Sequence, residues 1–286
     1  MSGAVATSAR VLLQVRRDPR TIALLLLVPI VLIALLDWLF VDQPGVFDRI
    51  GAPLLGLFPF IAMFVVTSIT MLRERTTGTL ERLMTLPLTK LGLLGGYSGA
   101  FALAATVQAA LVSALAFLLL GLDVAGSPWL IVLLAILNAV LGSTLGLFAS
   151  AFARTEFQAV QFMPAFVMPQ LLLCGLFVPT DQMARPLEIL SYALPLTYAY
   201  DALERVAVEG AYDARLALDV AVLVGCTVLS VVLGAATLRR RTPEERSGAG
   251  RLDRLPAPFA TPSTRERHAC ARDGAHARLH QPEAAP

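Results

Sequence analysis

Three runs of this chain, Ile22–Leu36, Val124–Ala153 and Val220–Leu238, contain no lysine or arginine, and the charges are bunched between such runs. No other feature limits the fold so strongly. An apolar run of this length in lipid must satisfy its own backbone hydrogen bonds, which a helix does internally. Composition agrees: 56% of the 286 residues belong to the AVILMFWYC set and 15% are charged, where soluble domains carry roughly a quarter. The expected class is an all-α integral membrane protein.

Six spans are predicted, at about 21–40, 54–72, 91–120, 129–152, 162–178 and 216–238. At 1.5 Å per residue the last reaches ~34 Å, enough for a hydrocarbon core of ~30 Å. The third is too long for a simple crossing, so its first turns, around Gly92–Gly99, are expected at the interface. The first run does not read as a signal peptide, because it begins after Arg20 and no small-residue cleavage site follows Leu36-Asp37-Trp38.

Lysine and arginine set the orientation. One side receives Arg10, Arg16, Arg17 and Arg20, then Arg73, Arg75, Arg82 and Lys90, then Arg154, and finally Arg239, Arg240 and Arg241. The other receives Arg49, Arg185, Arg205 and Arg215. Twelve against four places both termini on the cytoplasmic side of a multi-pass protein of the plasma membrane. Residues 1–20, with Val5, Val11, Leu12 and Val15 among basic residues, read as an interfacial helix leading into the 21–238 membrane domain. Residues 239–286 hold few large apolar side chains and read as a disordered cytoplasmic tail.

Several chemistries are excluded or weakened. The net charge of +2 gives no reason to expect nucleic acid as a partner. His268, Cys270, His276 and His280 fit no zinc spacing, and Cys174 and Cys226 fall within spans, so no metal or disulfide framework is expected. No phosphate-binding GxxxxGK[ST] loop and no HExxH occur. Gly96-Tyr97-Ser98-Gly99 has the look of a serine-protease motif, but every histidine lies in the tail, so no base can serve the serine. Ion coupling is weakened by the scarcity of charges in the spans. Asp37 and Asp219 sit at outer ends, the latter four residues after Arg215 and able to pair with it. Gln108, Asn138 and Gln170 are polar but uncharged, suited to helix-to-helix hydrogen bonds or to substrate contact.

Residues 73–90, RERTTGTLERLMTLPLTK, place six charges between two apolar runs. Gly78 or Thr79 permits a turn and caps a short helix with Glu81 at its positive end. Leu80, Leu83 and Met84 form an i, i+3, i+4 stripe, and Pro87 ends the helix. Such a helix could lie on the membrane or dock into a groove of a cytoplasmic partner.

This segment resembles the E-R-x-x-G-T-L-E-R-L-x-x-x-P signature of type-2 ATP-binding-cassette exporter permeases, including the daunorubicin/doxorubicin-resistance type. Glu74, Arg75, Gly78, Thr79, Leu80, Glu81, Arg82, Leu83 and Pro87 fall in step. Arg17-Asp18-Pro19, Phe177-Val178-Pro179 and Leu194-Pro195-Leu196-Thr197-Tyr198 resemble further stretches of that family, with Cys174 and Leu194 as departures from its common serine and asparagine. The resemblance implies that the 73–90 helix couples the chain to a nucleotide-binding ATPase subunit, which would hold ATP and magnesium. This chain would then bind no cofactor and hydrolyse nothing. It further implies short re-entrant outer helices before the last span and a second permease copy, identical or related.

Phe60, Met63 and Phe64 in span two, and Met163 and Phe166 in span five, supply adaptable apolar surface and, with Gln108, Asn138 and Gln170, could line a substrate route; plain packing, lipid contact or helix-to-helix hydrogen bonding is the readier explanation. Gly142 and Gly146 form a GxxxG pair for close helix approach, within or between subunits. The expected function is outward movement of a hydrophobic or amphipathic compound such as a drug, antibiotic or lipid. An ATP-independent secondary transporter or channel is the chief alternative, and a membrane scaffold or sensor the third.

Overall fold

The computed structural model describes residues 3–77 and 90–237, and these are helical with no strand among them. In chain order the helices are α1 (Gly3–Arg16), α2 (Pro19–Leu39), α3 (Pro44–Thr76), α4 (Lys90–Leu118), α5 (Pro128–Ala149), α6 (Glu156–Leu173), α7 (Arg185–Ser191), α8 (Pro195–Glu204) and α9 (Ala214–Ala236). A 3₁₀ turn covers Thr180–Gln182, and a π turn, Arg205–Glu209, continues α8. The coupling residues 78–89 and the expected tail lie outside the described residues.

Local chemistry sets the boundaries. Asp18 caps α2 by accepting from the Thr21 amide (3.3 Å) and hydroxyl (2.7 Å), with Pro19 in the first turn. Thr155 caps α6 through the Gln158 amide (3.2 Å), and Asp213 caps α9 through the Leu216 amide (3.1 Å). α6 stops at Leu173 rather than 178, and Gly175 then takes φ +109°, a conformation that favours glycine.

Five helices, α2, α3, α4, α5 and α9, are long and apolar enough to cross a membrane. α6 falls short of that description because Glu156, Gln158, Gln161 and Gln170 interrupt its 18 residues. Two expectations change in detail. α3 begins ten residues before the predicted span two, since Phe47 and Ala52 are buried and extend its packed face. The first turns of α4 are continuous with the rest of the helix and bury Leu93, Leu94 and Tyr97, so α1 covers them.

α3 and α5 form the central pair. A Cβ added at Gly142 would stand 2.4 Å from the Phe60 carbonyl oxygen, and one at Gly146 2.4 Å from that of Phe64. The GxxxG pair of α5 therefore lets two backbones touch within this chain. Its neighbours settle around that seam: α2 against α3 and α4, α9 against α5, and α6 against α3 along one stripe that includes Ala159, Val167, Gln170 and Leu173. Leu24, Leu27, Leu35 and Leu229 are more than half exposed, as side chains facing lipid would be.

The bundle has two chemically different ends. The basic end gathers α1, the end of α3, and the starts of α4 and α6. At the far end, residues 121–127 are tied to the π turn, with the Ala125 amide donating to Ala207 O (2.8 Å) and the Ser127 amide to the Tyr212 hydroxyl oxygen (2.6 Å). α8 lies against α3 as deep as Gly56, where an added Cβ would meet Leu203 at 2.5 Å; Gly56 is about 18 Å along α3 from its start.

Candidate functional site

At the basic end the final turn of α3 presents Arg73, Glu74 and Arg75 in three directions. Glu74 is buried, at 4% exposure, and its Oε2 accepts from the Tyr97 hydroxyl of α4 (2.9 Å) and from Arg10 Nη2 of α1 (3.2 Å). Arg10 Nη2 also donates to the Tyr97 hydroxyl oxygen, and its guanidinium lies over the Tyr97 ring, 5.7 Å from the centroid. The Ser8 hydroxyl donates to Gly96 O (2.7 Å), drawing α1 onto the glycine-rich start of α4. A buried carboxylate is tolerated when paired and hydrogen-bonded, and the same pairing makes it costly to break.

Arg73 reaches the other way. Its Nε and Nη2 grip Glu156 Oε1 and Oε2 at 2.7 and 3.0 Å, tying the end of α3 to the start of α6. Both side chains are about half exposed, so this fork contributes under about 1 kcal/mol but fixes direction. Arg75 buries Nε and Nη2 with no hydrogen-bond partner among the described residues. Of the nine coupling residues read from the sequence, the structure describes Glu74 and Arg75. Gly78, Thr79, Leu80, Glu81, Arg82, Leu83 and Pro87 lie outside the described residues.

The eight proposed route residues separate into three groups. Phe60, Met63 and Phe64 are buried in the α3 seam. Gln108 donates to Leu25 O (2.8 Å) and Asn138 to Gly56 O (3.0 Å), each joining two helices, while the side-chain oxygens of Gln108, Asn138 and Gln170 have no hydrogen-bond partner among the described residues. Gln170 donates to Phe166 O (3.0 Å) of its own helix, so it joins nothing across helices. Phe166, half exposed, packs its ring edge-to-face with Phe162, and Met163 is partly buried beside the core. The eight do not converge on one place.

A cavity that sequence reasoning did not identify opens at the far end, with a volume of about 840 Å³. The start of α3, the turn after α6, and α8 line it, with Arg49, Gly175, Asp181, Tyr198, Tyr200 and Glu204 among the wall residues. Burial pushes the Glu204 carboxyl above its ordinary range, partly opposed by Arg49 and by the Tyr200 hydroxyl. Burial and the nearby Glu204 charge push the Tyr200 phenol up as well. Beside it, Arg205 pairs with Asp201 (3.4 Å), Glu209 and Asp213 (3.5 Å each). Arg215 bridges Asp201 (3.3 Å) and Asp219 (3.6 Å), the pair expected from their four-residue spacing.

Residues 4–207, well over half of the chain, match the ABC-2 type transporter family. The chain belongs to that family. This ABC-2 chain is 28% identical over 158 residues to a probable multidrug ABC transporter permease, YbhR, of Escherichia coli K12, covering 55% of the chain and 43% of that protein. It is 27% identical over 180 residues to a second such permease from the same organism, YbhS, covering 62% and 47%. Similarity extends to ABC transporter G family member 20 of Dictyostelium discoideum, 23% identical over 163 residues, covering 57% of the chain and 22% of that protein. The chain thus spans less than half the length of the first two relatives. It is a multi-pass helical membrane protein of transport, of the ABC permease type.

The resemblance pointed to Glu74 but not to its partners. Arg10 looked like one of several orienting cations, and Tyr97 like part of a packing motif. The available signal was Tyr97 itself, a large phenol set among Gly95, Gly96 and Gly99.

Proposed function

We propose that this chain is the transmembrane permease subunit of an ABC exporter, moving a hydrophobic or amphipathic compound outward with ATP hydrolysed by a separate nucleotide-binding subunit. The observation that carries this is the three-helix junction around Glu74. It locks α1, α3 and α4 together at the residue where α3 runs out into the GTLER segment. A force applied to that segment would reach three helices at once. The names of the Escherichia coli relatives and the absence of a phosphate-binding loop in the sequence support the same assignment.

In this reading the basic end faces the cytoplasm, with ATP and magnesium held by the partner. α6 is the sixth span, entering the membrane next to its five more apolar neighbours. α7 and α8 are re-entrant, α8 with its buried Leu196, Ala199, Ala202 and Leu203 against the bundle. A second permease copy covers exposed apolar surface of α6, which includes Phe157, Phe166 and Leu172. Of the route residues, Phe166 would then work at that shared surface, while Phe60, Met63, Phe64, Gln108 and Asn138 stay buried within the chain. Carboxylates are scarce in the described spans, with Asp219 and Glu74 the buried ones, and this scarcity disfavours gradient-driven transport.

Reconstituted vesicles test the assignment. The purified chain alone should neither hydrolyse ATP nor transport, and the complex should do both. A hydrolysis-defective partner should stop export. Gradient-driven movement by the isolated chain without ATP would overturn the assignment in favour of a secondary transporter.

Topology is tested separately. In a variant lacking native cysteines, single cysteines at Asp123 and Asp181 should label from outside intact cells with an impermeant reagent, and one at Thr79 should not. The reverse pattern would invert the orientation. In the coupling segment, Gly78→Pro and Glu81→Lys should leave abundance unchanged and reduce export by about tenfold or more, since one alters the turn and the other puts a cation at the positive end of a helix. Full export by both variants would remove the docking role.

A further inference from the structure

We propose that the far-end cavity is a binding chamber for a hydrophobic organic cation, held between the Tyr198 and Tyr200 rings and the Glu204 and Asp181 carboxylates. Its volume of about 840 Å³ falls within the ~300–1,000 Å³ usual for small-molecule sites. The ligand class follows from how the surrounding charges are already used. Arg205 and Arg215 face four carboxylates, those of Asp201, Glu209, Asp213 and Asp219, at 3.3–3.6 Å. That group holds more carboxylates than guanidiniums before the cavity's other walls are considered. Glu204 and Asp181 add two more against Arg49, and neither forms an ion pair among the described residues. A recess with negative walls and restricted water concentrates cations.

The shape narrows the class further. Tyr198 is held in place by its hydroxyl donating to Tyr192 O (2.9 Å). Tyr200 is held by the turn beneath it: a Cβ on Gly175 would stand 3.1 Å from its ring, and φ +109° there already demands glycine. Tyrosine rings beside carboxylates that no guanidinium pairs suit a delocalised or quaternary cation with an apolar body. A divalent metal is disfavoured, because among the described residues no group of three or more Asp, Glu, His or Cys is placed to hold one. An inorganic anion is disfavoured because carboxylates outnumber guanidiniums in the cavity wall.

The proposal relies on the export assignment for which side the chamber opens to, but binding itself needs neither nucleotide nor partner. Equilibrium dialysis of the purified full chain in neutral detergent, with labelled tetraphenylphosphonium, should show saturable binding at one per chain. Tetraphenylborate, of the same shape and opposite sign, should not displace it. Glu204→Gln combined with Asp181→Asn should weaken binding about tenfold. Because that pair could disturb folding, Thr180, on the exposed 3₁₀ turn in the cavity wall, provides a second readout. Thr180→Lys should weaken binding and Thr180→Glu should strengthen it, a change of sign that misfolding cannot produce. Equal displacement by tetraphenylborate, or no sign dependence at residue 180, would overturn the proposal. If the complex exports while tetraphenylphosphonium does not bind, only the chamber falls. If it binds as described while the complex exports nothing, the chamber stands and the export role falls.

Discussion

Gly142→Leu is expected to abolish recovery of a folded, monodisperse protein, or to lower its thermal midpoint in detergent by more than any other single change discussed above. The added side chain would begin 2.4 Å from the Phe60 carbonyl oxygen and within 3.0 Å of two further backbone atoms of the same residue. Backbone cannot rotate aside as a flexible side chain can, so α3 and α5 must separate along their central seam. Overpacking a core costs about 1–3 kcal/mol, and a collision with helix backbone belongs at the upper limit or above it. Gly225→Leu is the matched control, since nothing lies within 4 Å of its Cβ position on α9. Equal stability of the two variants would show that the seam is not the folding determinant.

The second large effect belongs to Glu74. Glu74→Ala strands Arg10 and the Tyr97 hydroxyl at the α1–α3–α4 junction. Removing one partner of a buried pair costs about 3–5 kcal/mol. Arg10 keeps a third of its side chain exposed, so solvent recovers part of this and about 2–3 kcal/mol is expected. Arg10→Ala should cost less, and the double variant should fall short of the sum by about 1–2 kcal/mol. Export by the complex should drop further than stability accounts for, because the junction adjoins the coupling segment. Strict additivity in the stability cycle would show that Arg10 and Glu74 do not act as a pair.

Helix class and the positions of the apolar helices were readable because lipid imposes a long, unbroken pattern on the sequence. The Arg215–Asp219 pair was readable because it is local, four residues apart on one helix. What escaped depends on distance along the chain. Arg10, Glu74 and Tyr97 are separated by 64 and 23 residues, and nothing in their spacing says they meet. The far-end cavity joins residue 49 to residues 175–204 in the same way. GxxxG declared a close approach but not its partner, since a facing helix in this chain and one in another leave the same mark. Gln170 donates within its own helix, to Phe166 O, and its Oε1 has no hydrogen-bond partner among the described residues. The start of α3 was missed because Asp48, Arg49 and Gly51 dilute the apolar pattern, although Phe47 and Ala52 bury the face between them.

α3 is a single rod of 33 residues, about 50 Å long at 1.5 Å per residue. Arg73 and Glu74 grip other helices at one tip, and Arg49 stands in the cavity wall near the opposite tip. A stiff rod does not dissipate a push; it delivers it. Its compliance is confined to Pro53 and Pro59, where missing amide hydrogens loosen the spiral and permit a bend. A small tilt at the tip near residue 76 therefore becomes a swing of the last turns before Pro53, the turns that carry Arg49. If nucleotide chemistry drives the chain as proposed, the lever arm from it to the mouth of the cavity is one helix, with two prolines as its fulcrum.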